Sequence, residues 1–328
     1  MAKYLLIGGA GVFAVHFSKY LLSRNDTKGV ISVGRNPPAA PPFTLGVGDN
    51  DDRFSYHQIH FVFEQDRLLE LIDSEQPEYI INFAALAYAT SWHRSHRYYD
   101  TNVVSVAKLC EALQTRSFLK RFIQIGTSEL YGSVDHPVDE EGEIRPTSPY
   151  AVSKLAADLH LETLWKVQEF PMNIIRPSNA YGPGQLMYRI LPRAVYCALH
   201  GEKLPLQGGG AVKKSYMHAG DLAKAIYLVC HNGRMGETYN VGPDEPVSIR
   251  HLVELVAKSA NVSFETLVEM VPGRVGEDAQ YWLDSSKIKK DVNWTEEISL
   301  EEGIDDMVNW GKKYLETMPA PSNFILRA

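Results

Sequence analysis

An α/β fold with a doubly wound parallel sheet is what this sequence predicts, on three observations. Short apolar runs alternate with longer amphipathic stretches through the first half. A glycine turn follows the first run at once. The later chain loses that regularity, as a smaller second lobe would.

The elements follow in order. Tyr4-Leu5-Leu6-Ile7 reads as a buried strand, then a helix near Val12 to Leu22. Val30-Ile31-Ser32-Val33 and His60-Phe61-Val62-Phe63 read as the next strands, with a helix from about Asp66 to Ser74. Tyr79 to Phe83 follows, with a helix at about Asn102 to Thr115. Then come the run Phe122-Ile123-Gln124-Ile125, a helix from Pro149 to about Glu169, and the strand Met172 to Ile175. Runs of four to six apolar residues between helices suit parallel strands buried on both faces. The stretch "NPPAAPPF", residues 36 to 43, reads as a proline-rich surface loop, and the tail "MPAPSNFILRA" as an arm laid on the surface. The expected division is a first, sheet-bearing domain at 1–178 with about 212–241, and a second lobe at 179–211 and 242–328.

Composition narrows the class. A net charge of −7 argues against a nucleic-acid binder, whose surface is normally basic. The apolar start before the glycines is too short for a signal peptide or a membrane span, so a cytoplasmic protein is expected. Cys110, Cys197 and Cys230 lack metal-ligand spacing and read as buried small hydrophobes in a reducing compartment. No metal site is expected.

"LLIGGAGVFA" places Gly8, Gly11 and Ala14 in a G-x-x-G-x-x-A spacing. Such glycines let a pyrophosphate approach the amides of a helix N-terminus, although a plain strand-turn-helix can carry them too. Gly8, Gly11, Val12 and Phe13 are therefore candidate cofactor contacts. The second strand ends "VISVGRN", with no carboxylate for a free ribose 2′-hydroxyl. Arg35 instead suits a 2′-phosphate, so NADP is expected over NAD, with Arg35 and Asn36 at that contact.

"SPYAVSKLAADLH" puts Tyr150 and Lys154 four residues apart, on one helical face, behind a Ser148 N-cap and Pro149. An ammonium beside a phenol favours the phenolate, making Tyr150 a usable base near neutrality. "GTSELYG" delivers Thr127, Ser128 and Glu129 at the carboxyl end of a strand, where such sheets open their crevice.

With these residues in hand, the chain resembles an extended short-chain dehydrogenase/reductase of the nucleotide-sugar 4,6-dehydratase group, over nearly its whole length. "NFAA" at 82 to 85 resembles the segment that walls the cofactor, adding Ala84 and Ala85. "YYDTNV" holds the matching Asn102. "SNAYGPGQ", "KSYMHAGDLAKAI", "GETYNVG" and "DSSKIKKDVNW" resemble later landmarks of the family, in order.

The resemblance implies a reaction. Tyr150 takes the 4-hydroxyl proton of a nucleotide hexose as C4 is oxidised, with Thr127 on the same oxygen and Lys154 on the nicotinamide ribose. Glu129 removes the C5 proton, the 6-hydroxyl leaves as water, and hydride returns to C6. Ser128 departs from the Thr-Asp-Glu of thymidine-nucleotide dehydratases, so either Glu129 returns its own proton to the leaving hydroxyl or Ser128 relays one. Thr-Ser-Glu resembles GDP-mannose 4,6-dehydratases, which use NADP, and also UDP-glucuronate decarboxylases. A 4-epimerase or an inactive cofactor-sensing protein are further alternatives. Ser91, Asn179, Arg189, Lys214 and Arg274 are implied for the sugar and its diphosphate, and His93, His96 and His218 carry no assigned chemistry. The helices at about 102–115 and 149–169 resemble those of a family dimer interface, so a homodimer is expected.

Overall fold

The computed structural model describes residues 1–87, 94–273 and 280–321. Among them a seven-stranded sheet is built from β1 (Ala2–Ile7), β2 (Thr27–Gly34), β3 (Phe54–Gln58), β4 (Tyr79–Asn82), β5 (Arg121–Ile125), β6 (Met172–Pro177) and β7 (Thr238–Val241). Its order is β7-β6-β5-β4-β1-β2-β3, and every pairing is parallel. The chain runs outward from β1 to β3, then returns to β4 on the other side of β1. That reversal opens a crevice beyond the carboxyl ends of β1 and β4.

Helices cover both faces because the strands are apolar on both. On one side α1 (Val12–Leu22) and the helix Ala219–Asn232 bring Phe17, Leu21, Leu222, Ile226 and Val229 against Leu6, Ile81, Ile123 and Ile175. On the other, the helices Gln65–Glu75, Ser105–Leu113 and Pro149–Gln168 bring Leu68, Ile72, Leu109 and Leu161 against Leu5, Ile7, Ile80 and Phe122. Each such side chain contributes about 1.5–3 kcal/mol when fully buried. A separate core joins the helices Ile190–His200, Ile249–Ala260 and Leu300–Lys313 through Val195, Leu252, Val256, Met307 and Trp310. No described helix is long and apolar enough to cross a membrane.

Three sequence expectations change. The strand expected at His60–Phe63 lies earlier, at β3, and residues 61–63 form a turn. His60 Nδ1 accepts from the Val62 amide and Glu64 accepts from the His60 amide, which bends that run; Phe63 is left exposed. The proline-rich stretch is not all loop: Pro41–Thr44 makes one helical turn, and the Pro42 carbonyl accepts from Trp310 Nε1 at 2.7 Å. The helix expected from Asn102 starts at His96 and carries a π-helical segment, Asp100–Val104, before Ser105. Residues 322–328 of the expected arm lie outside the described residues.

Candidate active site

Gly8 follows β1 with φ +80, a conformation glycine adopts without penalty. A Cβ there would also sit 2.6 Å from the Ala84 nitrogen, so the turn and the wall after β4 touch backbone to backbone. Gly9 was missed in the sequence, yet a Cβ on it would collide with the Ser32 hydroxyl. Gly11 caps α1 with no side-chain partner, and no acidic residue lies in the first turn. The amides at Val12 and Phe13 therefore begin a helix with an unoffset positive end, as a pyrophosphate requires. Asn82 orients the wall: its Oδ1 accepts from the Ala84 amide at 3.1 Å while its Nδ2 donates to Gln124 at 2.9 Å. Ala85 is exposed beside half-buried Ala84. Glycines lying against the wall and an uncapped helix start fit a dinucleotide.

Arg35 and Asn36 are exposed beyond β2. Their carbonyls accept from Gln58 Nε2 at 3.2 Å and from the Tyr56 hydroxyl at 2.6 Å. The polar side chains of β3 thus hold this corner, a role that hydrophobic patterning could not signal. Burial first, and then the nearby Arg35 charge, lower the pKa of His60.

Asn102 lies on the π-helical segment Asp100–Val104. It is fully buried, accepting from the Leu86 amide at 2.9 Å and donating to the Leu86 carbonyl at 3.1 Å and Ser153 Oγ at 2.9 Å. These bonds clamp the wall to the Tyr150 helix.

Thr127 ends β5 in extended backbone and caps the short 3-10 turn Ser128–Tyr131, its Oγ1 accepting from the Glu129 amide at 3.2 Å. Ser128 is buried and Glu129 half-buried. Opposite stands the helix Pro149–Gln168, with Ser148 Oγ accepting from the Ala151 amide at 3.1 Å. Tyr150 hydrogen-bonds Thr127 and feels the charges of Glu129 and Arg189. The structure therefore brings Thr127, Glu129, Tyr150 and Arg189 to one place.

Lys154 is 1% exposed and donates to the Ile125 carbonyl at 2.5 Å. Burial lowers its pKa to about 8, against the opposing pull of Asp158. Burial raises the Tyr150 pKa, Glu129 adds to the rise, and the hydrogen bond from Thr127 and the Arg189 charge act the other way.

Asn179 lies on the strand Asn179–Tyr181, and its Nδ2 is buried without a hydrogen-bond partner among the described residues, as a waiting ligand donor would be. Arg189 is the N-cap residue of the helix Ile190–His200 and is exposed, its guanidinium 5.1 Å from the Tyr188 ring. Lys214 is half-buried on the strand Lys213–Lys214, between Val247–Ser248 and Gln280–Tyr281. Ser91, His93 and Arg274 lie outside the described residues. Cys110, Cys197 and Cys230 are free and buried. Among the described residues no group of His, Cys, Asp or Glu could hold a metal ion. His218 lies 3.5 Å from Asp306, a structural contact with the last helix.

Comparison with known proteins places this arrangement. Residues 5–307 match the family model of GDP-mannose 4,6 dehydratase. A trifunctional UDP-glucose 4,6-dehydratase/UDP-4-keto-6-deoxy-D-glucose 3,5-epimerase/UDP-4-keto-L-rhamnose-reductase of Arabidopsis thaliana is 26% identical over 94% of this chain; the chain spans about half of that protein, 48%. The dTDP-D-glucose 4,6-dehydratase of Mus musculus is 29% identical over 95% of this chain and 89% of its own length. The crystal structure of dTDP-glucose 4,6-dehydratase from Bacillus anthracis in complex with NAD superposes with a TM-score of 0.86, at 29% identity over 97% of this chain and 98% of that one. Its NAD lends no support to the NADP preference drawn from Arg35. The resemblance read from the motifs holds: the chain belongs to the GDP-mannose 4,6 dehydratase family, on the extended short-chain dehydrogenase/reductase fold.

Proposed function

We propose that this protein is a nucleotide-sugar 4,6-dehydratase, a hydro-lyase that turns a nucleoside-diphosphate hexose into its 4-keto-6-deoxy form. The observation that carries the reading is the meeting of a phenol, a hydroxyl and a carboxylate at one strand end: Tyr150 with Thr127 and Glu129. The nicotinamide, when bound, supplies reversible storage for the hydride that leaves C4 and returns to C6. Tyr150 accepts the proton of the sugar 4-hydroxyl, and Thr127 orients the same oxygen. Arg189, which favours the ionised phenol, assists that transfer. The 4-ketone acidifies C5, Glu129 takes the C5 proton, and the 6-hydroxyl departs as water. Ser128, in place of a carboxylic acid, leaves Glu129 to hand its proton on. Lys154 holds the nicotinamide ribose.

Asn179, Arg189 and Lys214 meet the diphosphate and sugar, with Ser91 and Arg274 assigned to the same task. The dinucleotide is held by residues 1–178 and about 212–241, and the sugar nucleotide by 179–211 and 242–328 together with Ser91 and Lys214 at the border between them. The cofactor is NAD, the dinucleotide of the Bacillus anthracis enzyme; exposed Arg35 favours NADP as the second reading. Val104, Val152 and Leu159 leave apolar surface on the helices expected to pair two copies, which supports a homodimer.

The test is incubation with dTDP-glucose, UDP-glucose and GDP-mannose, with products read by mass spectrometry. Loss of one water without net cofactor reduction is expected from at least one of them. An epimerised product, or no product from any of the three, overturns the reading, as does release of carbon dioxide from UDP-glucuronate supplied in a parallel incubation.

A further inference from the structure

Beneath the strand end that carries Thr127 lies a buried ion pair. Asp158, one helical turn beyond Lys154, is fully buried, and its Oδ2 accepts from Arg176 Nε at 2.9 Å. Arg176 rises from β6 with its side chain 3% exposed. The pair passes under Gly126, where a Cβ would lie 3.0 Å from Arg176 Cγ and 3.4 Å from Asp158 Oδ2. A second guanidinium nitrogen donates to the Tyr131 hydroxyl at 3.0 Å, which donates on to Asn240 Oδ1 at 3.0 Å. Tyr131 closes the turn that bears Glu129.

Burying opposite charges brings little net stability, so a pair placed here calls for another reason. Asp158 Oδ1 is buried with no hydrogen-bond partner among the described residues. Lys154, four residues earlier on the same helix, is equally buried, and the acceptor it bonds is the neutral Ile125 carbonyl. A buried ammonium with neutral neighbours loses its proton readily, and a carboxylate alongside holds it.

We propose that Asp158 and Arg176 are positioning residues for the reaction: Asp158 is the counter-charge that keeps Lys154 an ammonium, and Arg176 ties that carboxylate, through Tyr131, to the turn carrying Glu129. This rests on the roles given above to Lys154 and Glu129. The other charged or titratable groups that act on the pair or on its Tyr131 and Asn240 partners are Tyr150, Tyr131, Glu162 and Glu140, whose carboxylate accepts from the Asn240 amide. Glu162 lies 3.7 Å from Arg176 with its side chain 25% exposed, so solvent screens it more than Asp158. Among the influences on Lys154, burial draws the proton off and Asp158 holds it.

Asp158→Asn keeps the shape and an acceptor for Arg176 while deleting the charge. NAD affinity, titrated by protein fluorescence across about pH 6 to 10, is the readout, because burial brings the Lys154 pKa down to about 8, inside that span. The alkaline limb should move to lower pH by about 1 unit, leaving about fivefold weaker binding near pH 8. Glu162→Gln should leave the limb in place, and a merely structural role for Asp158 would lower the melting temperature without moving it. An unmoved limb in folded Asp158→Asn overturns the proposal. Should that variant not fold, carboxyl NMR of the wild-type protein decides: the Asp158 resonance should inflect with the Lys154 titration, and a flat resonance overturns the proposal. Neither readout needs the sugar, so failure to turn over any hexose would count against the proposed function alone.

Discussion

Lys154 Nζ donates to the Ile125 carbonyl at 2.5 Å, fastening the helix of Tyr150 to the end of β5, just before Thr127, Ser128 and Glu129. Through that bond the base and the carboxylate belong to one rigid unit, each borne by an element with its own cap. Ser148 caps the helix and Thr127 the turn, so neither group depends on a free loop.

Tyr150→Phe removes the proton acceptor and leaves the ring. Turnover should fall about 10²- to 10⁴-fold, the range for loss of general acid–base catalysis, while cofactor binding persists. Steady-state rates and a binding titration check both halves.

Glu129→Gln should separate the two stages. Oxidation at C4 proceeds, seen as reduced nicotinamide in a single turnover, and water elimination stops. Normal dehydration by this variant would remove Glu129 from the role of C5 base.

Gly8→Ala combines a positive φ with a Cβ 2.6 Å from the Ala84 nitrogen. Since the clash is with backbone, the wall must shift. NAD affinity should drop at least about tenfold, roughly 1.4 kcal/mol, by calorimetric titration.

How much of this was legible follows from what each residue answers to. The glycine turn, the Tyr150–Lys154 helix and the Thr127–Glu129 strand end are local patterns, and local patterns survive in sequence. β3 escaped because an edge strand pairs on one side and keeps polar residues such as Tyr56 and Gln58, which support Arg35 and Asn36. The Asp158–Arg176–Tyr131–Asn240 chain escaped because its members meet only after β6 and β7 join the sheet. Asn102 was found by motif, but its buried bonds to Leu86 and Ser153 were not, because those partners come from other parts of the chain.

Acid should loosen the fold near His16. Its Nε2 lies 2.9 Å from the Pro183 carbonyl, and burial lowers its pKa from the ordinary 6.5 to about 4. The unfolded chain binds this proton more readily, so the neutral ring's contribution is whole above about pH 6.5 and is lost as pH falls towards about 4. The shift corresponds to about 3 kcal/mol. Denaturation midpoints measured over that window should decline, and His16→Gln should flatten the decline.

The most direct test follows one hydrogen. A nucleotide hexose deuterated at C4, turned over in ordinary water, should yield a 4-keto-6-deoxy product with that deuterium on C6, as NMR would show. Deuterium still at C4, or absent from C6, would contradict oxidation, elimination and hydride return within a single site.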